Sequence, residues 1–322
     1  MNVLYPFRFH PILRRYLWGG RRLETLGKKL GPGKDYAESW EIVDHGADQS
    51  VVANGILAGY ALGEIVQQHG PALLGRHAHL RQFPLLFKFL DANDRLSIQV
   101  HPDDKRAALL QPPDLGKTEA WVILAAEPGS YLYAGLRRGI DRESLKNEVA
   151  RHTCELCIKR IEPRDGDCFF IPAGVVHALG PGLLVAELQQ ASDTTYRLYD
   201  WGRIGPDGQP RKLHLAEALE CIDYDYGPVA PQTPQPTDNP GVERLVACDK
   251  FVLDRWTFSG TRQVGGDDRC HILTVLEGAL GVERDPAGQP LQRGEVVLLP
   301  AELGAVTIRA AGETIILDAY LP

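Results

Sequence analysis

The sequence predicts a mainly β chain, made of two all-β units carrying a few peripheral helices. Three observations lead there. Short runs rich in β-branched and aromatic residues recur between turn residues, as in "ESWEIVD", "LLFKFLDA", "EAWVILAA" and "LLVAELQQ". Glycine (33) and proline (23) are plentiful, which favours many turns and so many short strands. A proline-rich stretch, "YDYGPVAPQTPQPTDNPG", separates two blocks of such runs.

The first block spans residues 1–223. Its strand-like segments also include "LSIQVH", "ELCIKRIEP", "DCFFIPA" and "TTYRLYDW". Four segments read as helix: "LGEIVQQHG", "DDKRAALLQ", "DRESLKNEVARH" and "LHLAEALECID". The third opens on Asp141 at an N-cap position with acid in its first turn. So few helices decorate a β core and do not serve as βαβ crossovers. Residues 224–241 have the composition of an extended, semi-rigid linker. Residues 242–322 resume the β pattern with "FVLDRWTFSG", "CHILTVLEGALGVE", "EVVLLPA", "AVTIRAAG" and "ETIILDAYLP".

Composition narrows the function. With 44% hydrophobic and 24% charged residues, the 322-residue chain has the balance of a soluble globular protein. A net charge of −7 gives no electrostatic footprint for nucleic acid or an anionic membrane. No run approaches the ~18 apolar residues of a membrane helix. The first twenty residues, broken by proline and arginine, lack the apolar run of a secretory signal, so a cytoplasmic location is expected. Among six cysteines, Cys154 and Cys157 form a lone CxxC. On a strand, positions i and i+3 face opposite sides, so these read as reduced, scattered thiols.

The chemistry starts at "LSIQVHPDD". Gln99 and His101 are two residues apart, so in an extended chain an amide and an imidazole share one face. Further on, Gly166, Pro172, Gly174 and His177 in "GDCFFIPAGVVH" make a G-x5-P-x-G-x2-H pattern: a turn, a strand and a tight turn that delivers a histidine. The second block repeats Gly294 and Pro300, but has Glu302 and Ala305 in place of the later glycine and the histidine. His77 and His79 also form an HxH, framed by no strand, and read as loop. His10, His45, His69, His152 and His271 read as ordinary surface or core residues.

The G-x5-P-x-G-x2-H pattern resembles the second motif of the cupin superfamily. The resemblance implies two jelly-roll β-barrels, the C-terminal one degenerate and metal-free. It also implies a metal held by Gln99, His101, Glu119 (in "GKTEAWVIL") and His177. Two imidazoles with two oxygen donors suit Zn²⁺, Fe²⁺, Mn²⁺ or Co²⁺.

At closer range, "LWGG", "ESWEI", "LSIQVHPDD", "GKTEAWVIL" and "FFIPAGVVHALGPGLLVAELQQASDTTYRLYDWGR" resemble the short bacterial form of the type I mannose-6-phosphate isomerases, from about Trp18 to Leu213. Larger members carry an additional helical domain, for which this chain has no room. The resemblance implies a one-zinc isomerisation of mannose 6-phosphate and fructose 6-phosphate through a cis-enediolate. Arg197 then neutralises the enediolate, and Lys117, with Ser97, binds phosphate or sugar. Glu187 is the expected base, its pKa raised by partial desolvation, with Lys117 as competitor. Trp18, Trp40, Glu41, Lys88 and Arg203 have equally good structural readings. The expected partner is a small sugar phosphate, in a monomer or homodimer. An Fe²⁺ dioxygenase and a non-catalytic sugar-sensing cupin are the competing readings.

Overall fold

The computed structural model describes residues 4–205 and 208–322. The N-terminal unit has eleven principal strands: β1 (Ile12–Gly20), β2 (Tyr36–Ile42), β3 (Leu85–Ala92), β4 (Ile98–Val100), β5 (Glu119–Ala126), β6 (Leu132–Leu136), β7 (Ile158–Ile161), β8 (Cys168–Ile171), β9 (His177–Leu179), β10 (Leu183–Gln190) and β11 (Tyr196–Tyr199). They pair antiparallel in a six-stranded sheet, order β8-β5-β10-β3-β2-β1, and a five-stranded sheet, order β7-β6-β9-β4-β11. The predicted segments "LLFKFLDA", "EAWVILAA" and "LLVAELQQ" are strands over their whole lengths.

Alternation along β3 explains the layering. Leu86, Lys88 and Leu90 point one way, while Leu85, Phe87 and Phe89 point the other. The second set joins a core that includes Leu62 and Ile65 of α1 (Leu62–Leu74) and Phe251, Ile272, Leu298 and Leu317 of the C-terminal unit. Both faces of the large sheet are therefore buried, which is why β3 reads as a nearly unbroken apolar run.

The C-terminal unit is built on β12 (Val242–Ala247), β13 (Val252–Gly265), β14 (His271–Glu277), β15 (Val296–Leu299) and β16 (Ala305–Tyr320), in the order β12-β13-β16-β14-β15. Its own interior is filled by Trp256, Phe258, Leu273, Val275, Val297, Ile308 and Ile316. "AVTIRAAG" and "ETIILDAYLP" are one continuous strand, not two. A register shift after Phe258 lets the long β13–β16 pair bend without breaking. Gly166 and Gly294, the two recurring turn glycines, both have positive φ (84° and 81°), and a Cβ on Gly294 would lie 2.3 Å from the Leu26 carbonyl oxygen.

The proline-rich segment runs along the first barrel. Val229 N–H donates to Ala134 O (3.1 Å), Gln232 N–H donates to Cys168 O (2.7 Å), and Gln235–Pro236 pairs with β12. The four expected helices are present: α1, α2 (Asp104–Ala107), α3 (Arg142–Ala150) and α4 (Leu215–Cys221). Asp141 caps α3 by accepting from Ser144 N–H at 2.8 Å. No helix among the described residues is long and apolar enough to cross a membrane.

Two local expectations are corrected. Cys154–Cys157 is a short 3-10 helix and not strand, so the strand argument about its faces does not apply. Both thiols are nonetheless free and buried, and burial pushes both pKa values up. The strands β1, β6, β9 and β12 are not among the predicted segments. Exposed Arg15, Tyr16 and Leu17 on β1 and the small residues of β6 hide their alternation.

Candidate active site

Two cross-strand rows face each other inside the N-terminal barrel. On the large sheet, register places Trp40 beside Lys88, Lys88 beside Glu187, and Glu187 beside Trp121. On the small sheet it places His177 beside Gln99, and Gln99 beside Arg197. One pocket is lined by Lys88, Glu187 and Trp121 from the first row and by all three residues of the second. Strand pairing alone thus assembles residues far apart in sequence.

His101, Glu119 and His177 each bring a donor atom to within 4.8 Å of the other two. No other three His, Cys, Asp or Glu among the described residues converge in this way. His101 and His177 are each only 1% exposed, as is Glu119. The Nδ1 of His101 lies 3.0 Å from Thr194 O, and that of His177 lies 2.9 Å from Val175 O. A carbonyl can only accept, so each Nδ1 carries the proton and each Nε2 keeps its lone pair for the pocket. Burial lowers the pKa of both imidazoles, that of His177 to about 4, which keeps them neutral as a cation requires. Burial, then Glu187, push Glu119 up to about 7 against the pull of Lys117; a buried carboxylate so placed gains from a cation beside it. The Gln99 amide lies 3.3 Å from His177 Nε2, and Ser97 Oγ lies 3.3 Å from Gln99 Oε1. A hydroxyl can donate or accept, so the amide can turn its oxygen inward at little cost. These residues fit a divalent metal.

Around the donors runs a chain of alternating charge. Lys117 Nζ is 2.7 Å from Glu119 Oε2, 3.0 Å from His101 Nε2 and 3.9 Å from Glu187 Oε1. Lys88 Nζ is 3.2 Å from Glu187 Oε1 and 3.4 Å from Glu38 Oε1. Burial works to raise the pKa of Glu187, but Lys88 and Lys117 outweigh it and hold it below the usual carboxylate range. The expected upward shift is therefore reversed. Its Oε2 accepts from Trp121 Nε1 at 2.9 Å, while Oε1, beyond its ion contact with Lys88, has no geometrically sound hydrogen bond. Burial likewise opposes the Lys88 ammonium, and Glu187 and Glu38 outweigh it, keeping it charged.

Arg197 lines the same pocket, and among the described residues its Nε is buried without a partner. Lys117 sits among the candidate metal donors, against Glu119 and His101. Trp18 lines the pocket, whereas Trp40 packs behind Lys88, its ring centroid 5.7 Å from Nζ. Glu41 points away, to Lys28 at 2.7 Å. Glu38, three residues before Glu41 and so on the opposite face, was not singled out in the sequence; it is the acid of β2 that faces inward, and it accepts from Trp40 Nε1 at 2.6 Å. The period of two along "ESWEI", anchored on Trp40, was the signal that could have found it. Arg203 does pair with Asp200, at 3.3 Å. Tyr16, Asp193, Thr195 and Arg211 also line the pocket without a local sequence signal.

Comparison with known proteins is consistent along the whole chain. The family described as phosphomannose isomerase type I, catalytic domain, matches residues 6–125, and the mannose-6-phosphate isomerase cupin domain matches residues 242–318. Mannose-6-phosphate isomerase ManA of Bacillus subtilis is 33% identical over 97% of this chain and 98% of its own length. A mannose-6-phosphate isomerase of Streptococcus mutans is 34% identical over 92% of each chain. The crystal structure of a mannose 6-phosphate isomerase from Bacillus subtilis superimposes with a TM-score of 0.89 at 29% identity, covering 98% of this chain and 99% of that one.

Proposed function

The chain belongs to the type I phosphomannose isomerase family, and from this premise we propose that it interconverts D-mannose 6-phosphate and D-fructose 6-phosphate in the barrel pocket. The observation that carries the reading is the convergence of His101, Glu119 and His177 at a pocket also lined by Arg197, whose buried Nε has no partner among the described residues. In our reading Gln99 completes the donor set, and the ion is zinc, because two imidazoles and two oxygen donors serve a non-redox reaction. When bound, the metal supplies Lewis acidity toward a substrate oxygen.

The protein's own groups account for the other needs of the reaction. Moving a hydrogen from C2 to C1 of the open-chain sugar needs a base, and Glu187, which lines the pocket with Oε1 in ion contact with Lys88 and Lys117, is the carboxylate placed to serve. Glu187 takes the C2 proton, the C2–H pair forms the C1–C2 double bond as the C1=O π pair moves onto O1, and a proton passes from O2 to O1; the same carboxyl then returns its proton to C1 as the C2=O bond forms. Its low pKa keeps it ionised and ready at neutral pH, and Lys88 and Lys117 steady its charge. Lys117 is the alternative base. Arg197 neutralises the enediolate as charge develops, and being always protonated it does so without carrying protons. Ser97 and Lys117 hold sugar hydroxyls near the donors. Six cysteines without disulfides suit a reducing, cytoplasmic compartment.

Purified protein given mannose 6-phosphate should form fructose 6-phosphate in a coupled assay, lose the activity on chelation and regain it with Zn²⁺. Oxygen uptake without isomerisation, or tight binding without product, would overturn the proposal.

A further inference from the structure

The pocket's cations fall into two groups with different balances. Deep in the barrel, Lys88 and Lys117 are matched by Glu38, Glu119 and Glu187. At the outer edge, Arg197 and Arg211 line the pocket with one carboxylate, Asp193, while Asp200, which does not line it, pairs with Arg211 and Arg203. Asp200 is 4% exposed and already engaged: its two oxygens accept from Arg211 Nε at 2.7 Å and Nη2 at 2.6 Å, and Arg203 Nη2 lies 3.3 Å away. Arg197 has no hydrogen-bond or ion-pair partner for its guanidinium among the described residues, and it feels Arg211 as a like charge. A surplus of fixed guanidinium charge at one edge of a pocket is unfavourable unless an anion arrives there.

Strand order sets where that edge lies. From His177 the small sheet steps to Gln99 and then to Arg197, with neighbouring strands about 4.8 Å apart. One step further out, the returning chain lies along β11: His214 N–H donates to Arg197 O at 2.8 Å, and Arg197 N–H donates to His214 Nδ1 at 3.3 Å. That segment carries Arg211, held against Asp200 by both hydrogen bonds. The backbone of that segment thus lies beyond Arg197 as seen from the candidate metal donors, and Arg211 lines the pocket from it, on the side where the tail of a substrate reacting at its other end would lie.

We infer that Arg211, held in place by Asp200, is the phosphate-binding residue of this pocket. The phosphate specificity then comes from the outer guanidinium edge and not from Lys117. This deepens the isomerase reading and rests on it for the identity of the sugar. The recognised chemistry is a phosphate monoester dianion, for which a planar guanidinium offers paired donors. Asp200 is a positioning residue, since it touches Arg211 and no reacting atom.

The test is steady-state kinetics with mannose 6-phosphate on the metal-loaded protein, together with calorimetric titration of inorganic phosphate. Arg211→Ala should raise KM by roughly 10-fold or more, with kcat changed less than about 3-fold. The dissociation constant for inorganic phosphate should rise in parallel, with metal content unchanged. Arg211→Lys should recover part of both losses, and Asp200→Asn should raise KM and weaken phosphate binding in the same direction with kcat retained. Unchanged KM and phosphate affinity in Arg211→Ala overturn this inference while leaving the isomerase reading intact. If wild-type protein forms no fructose 6-phosphate, the isomerase reading fails, and the phosphate titrations on wild type and on Arg211→Ala still decide the role of Arg211.

Discussion

The Oε1 atom of Glu187 lies 3.2 Å from the Lys88 ammonium. That contact, with Lys117 behind it, turns a buried carboxyl that solvent exclusion alone would keep protonated into an ionised one. Removing the positive charge should let burial prevail. Lys88→Met is therefore expected to raise the pKa of Glu187, moving the acid limb of kcat/KM to higher pH by roughly 1 unit. A pH–rate profile with an unmoved acid limb would show that Glu187 is not the titrating base.

Glu187→Gln keeps the shape and the Trp121 contact while removing the proposed base. It should lower kcat by about 10²–10⁴-fold with metal content intact. If Lys117→Met were the variant with that loss and Glu187→Gln stayed near wild type, the roles of the two residues would be exchanged.

Arg197 and His177 are neighbours across one strand, yet they should fail differently. Arg197→Ala should cost about 10²–10³-fold in kcat and leave the bound metal in place. His177→Ala should lose the metal itself. Elemental analysis beside the kinetics separates the two, and equal metal loss in both variants would contradict the division of labour.

Thr194 connects His101, one of the proposed metal donors, to a more distant acid. Its carbonyl accepts from His101 Nδ1, while its hydroxyl donates to Asp114 Oδ2 at 2.6 Å. Asp114 also accepts from Ser192 Oγ at 2.9 Å and meets His45 Nε2 at 3.0 Å. Burial opposes its charge, but these bonds outweigh it and hold its pKa well below the usual range. Asp114→Ala should loosen the 192–194 turn and weaken metal binding by about 10-fold, read by competition with a chromophoric chelator.

In the C-terminal unit, His271 Nδ1 is 2.8 Å from Asp318 and its Nε2 is 3.1 Å from Asp267. Burial disfavours the imidazolium, yet Asp318 and Asp267 outweigh it and raise the pKa to about 10. A histidine raised in the folded state stabilises most below its unfolded pKa of about 6.5. The stabilisation then declines between that value and about 10. The Tm difference between wild type and His271→Gln should follow that course across pH 6 to 10.5, roughly. A difference that grows with pH would reverse the sign and rule out the charged form.

Local pattern alone made most of this protein readable. Alternating apolar runs marked the long strands, Asp141 marked a helix start, and the spacing of two in Gln99-x-His101 put two donors on one face. These are nearest-neighbour properties: pleat, cap and turn depend on residues a few positions apart. The cupin resemblance carried by "GDCFFIPAGVVH" brought in His177, and with it Glu119 of "GKTEAWVIL", whose partners lie distant in the chain.

Tertiary structure decided the rest, because pairing register and burial are properties of the folded chain. Only the β3–β10 pairing sets Lys88 beside Glu187, and only that neighbour reverses the sign of a pKa shift that burial predicts. Only the return of the chain along β11 brings Arg211 to Asp200. A sequence names the charges. Which of them end up within 4 Å of each other, shielded from water where Coulomb terms are strong, follows from the fold.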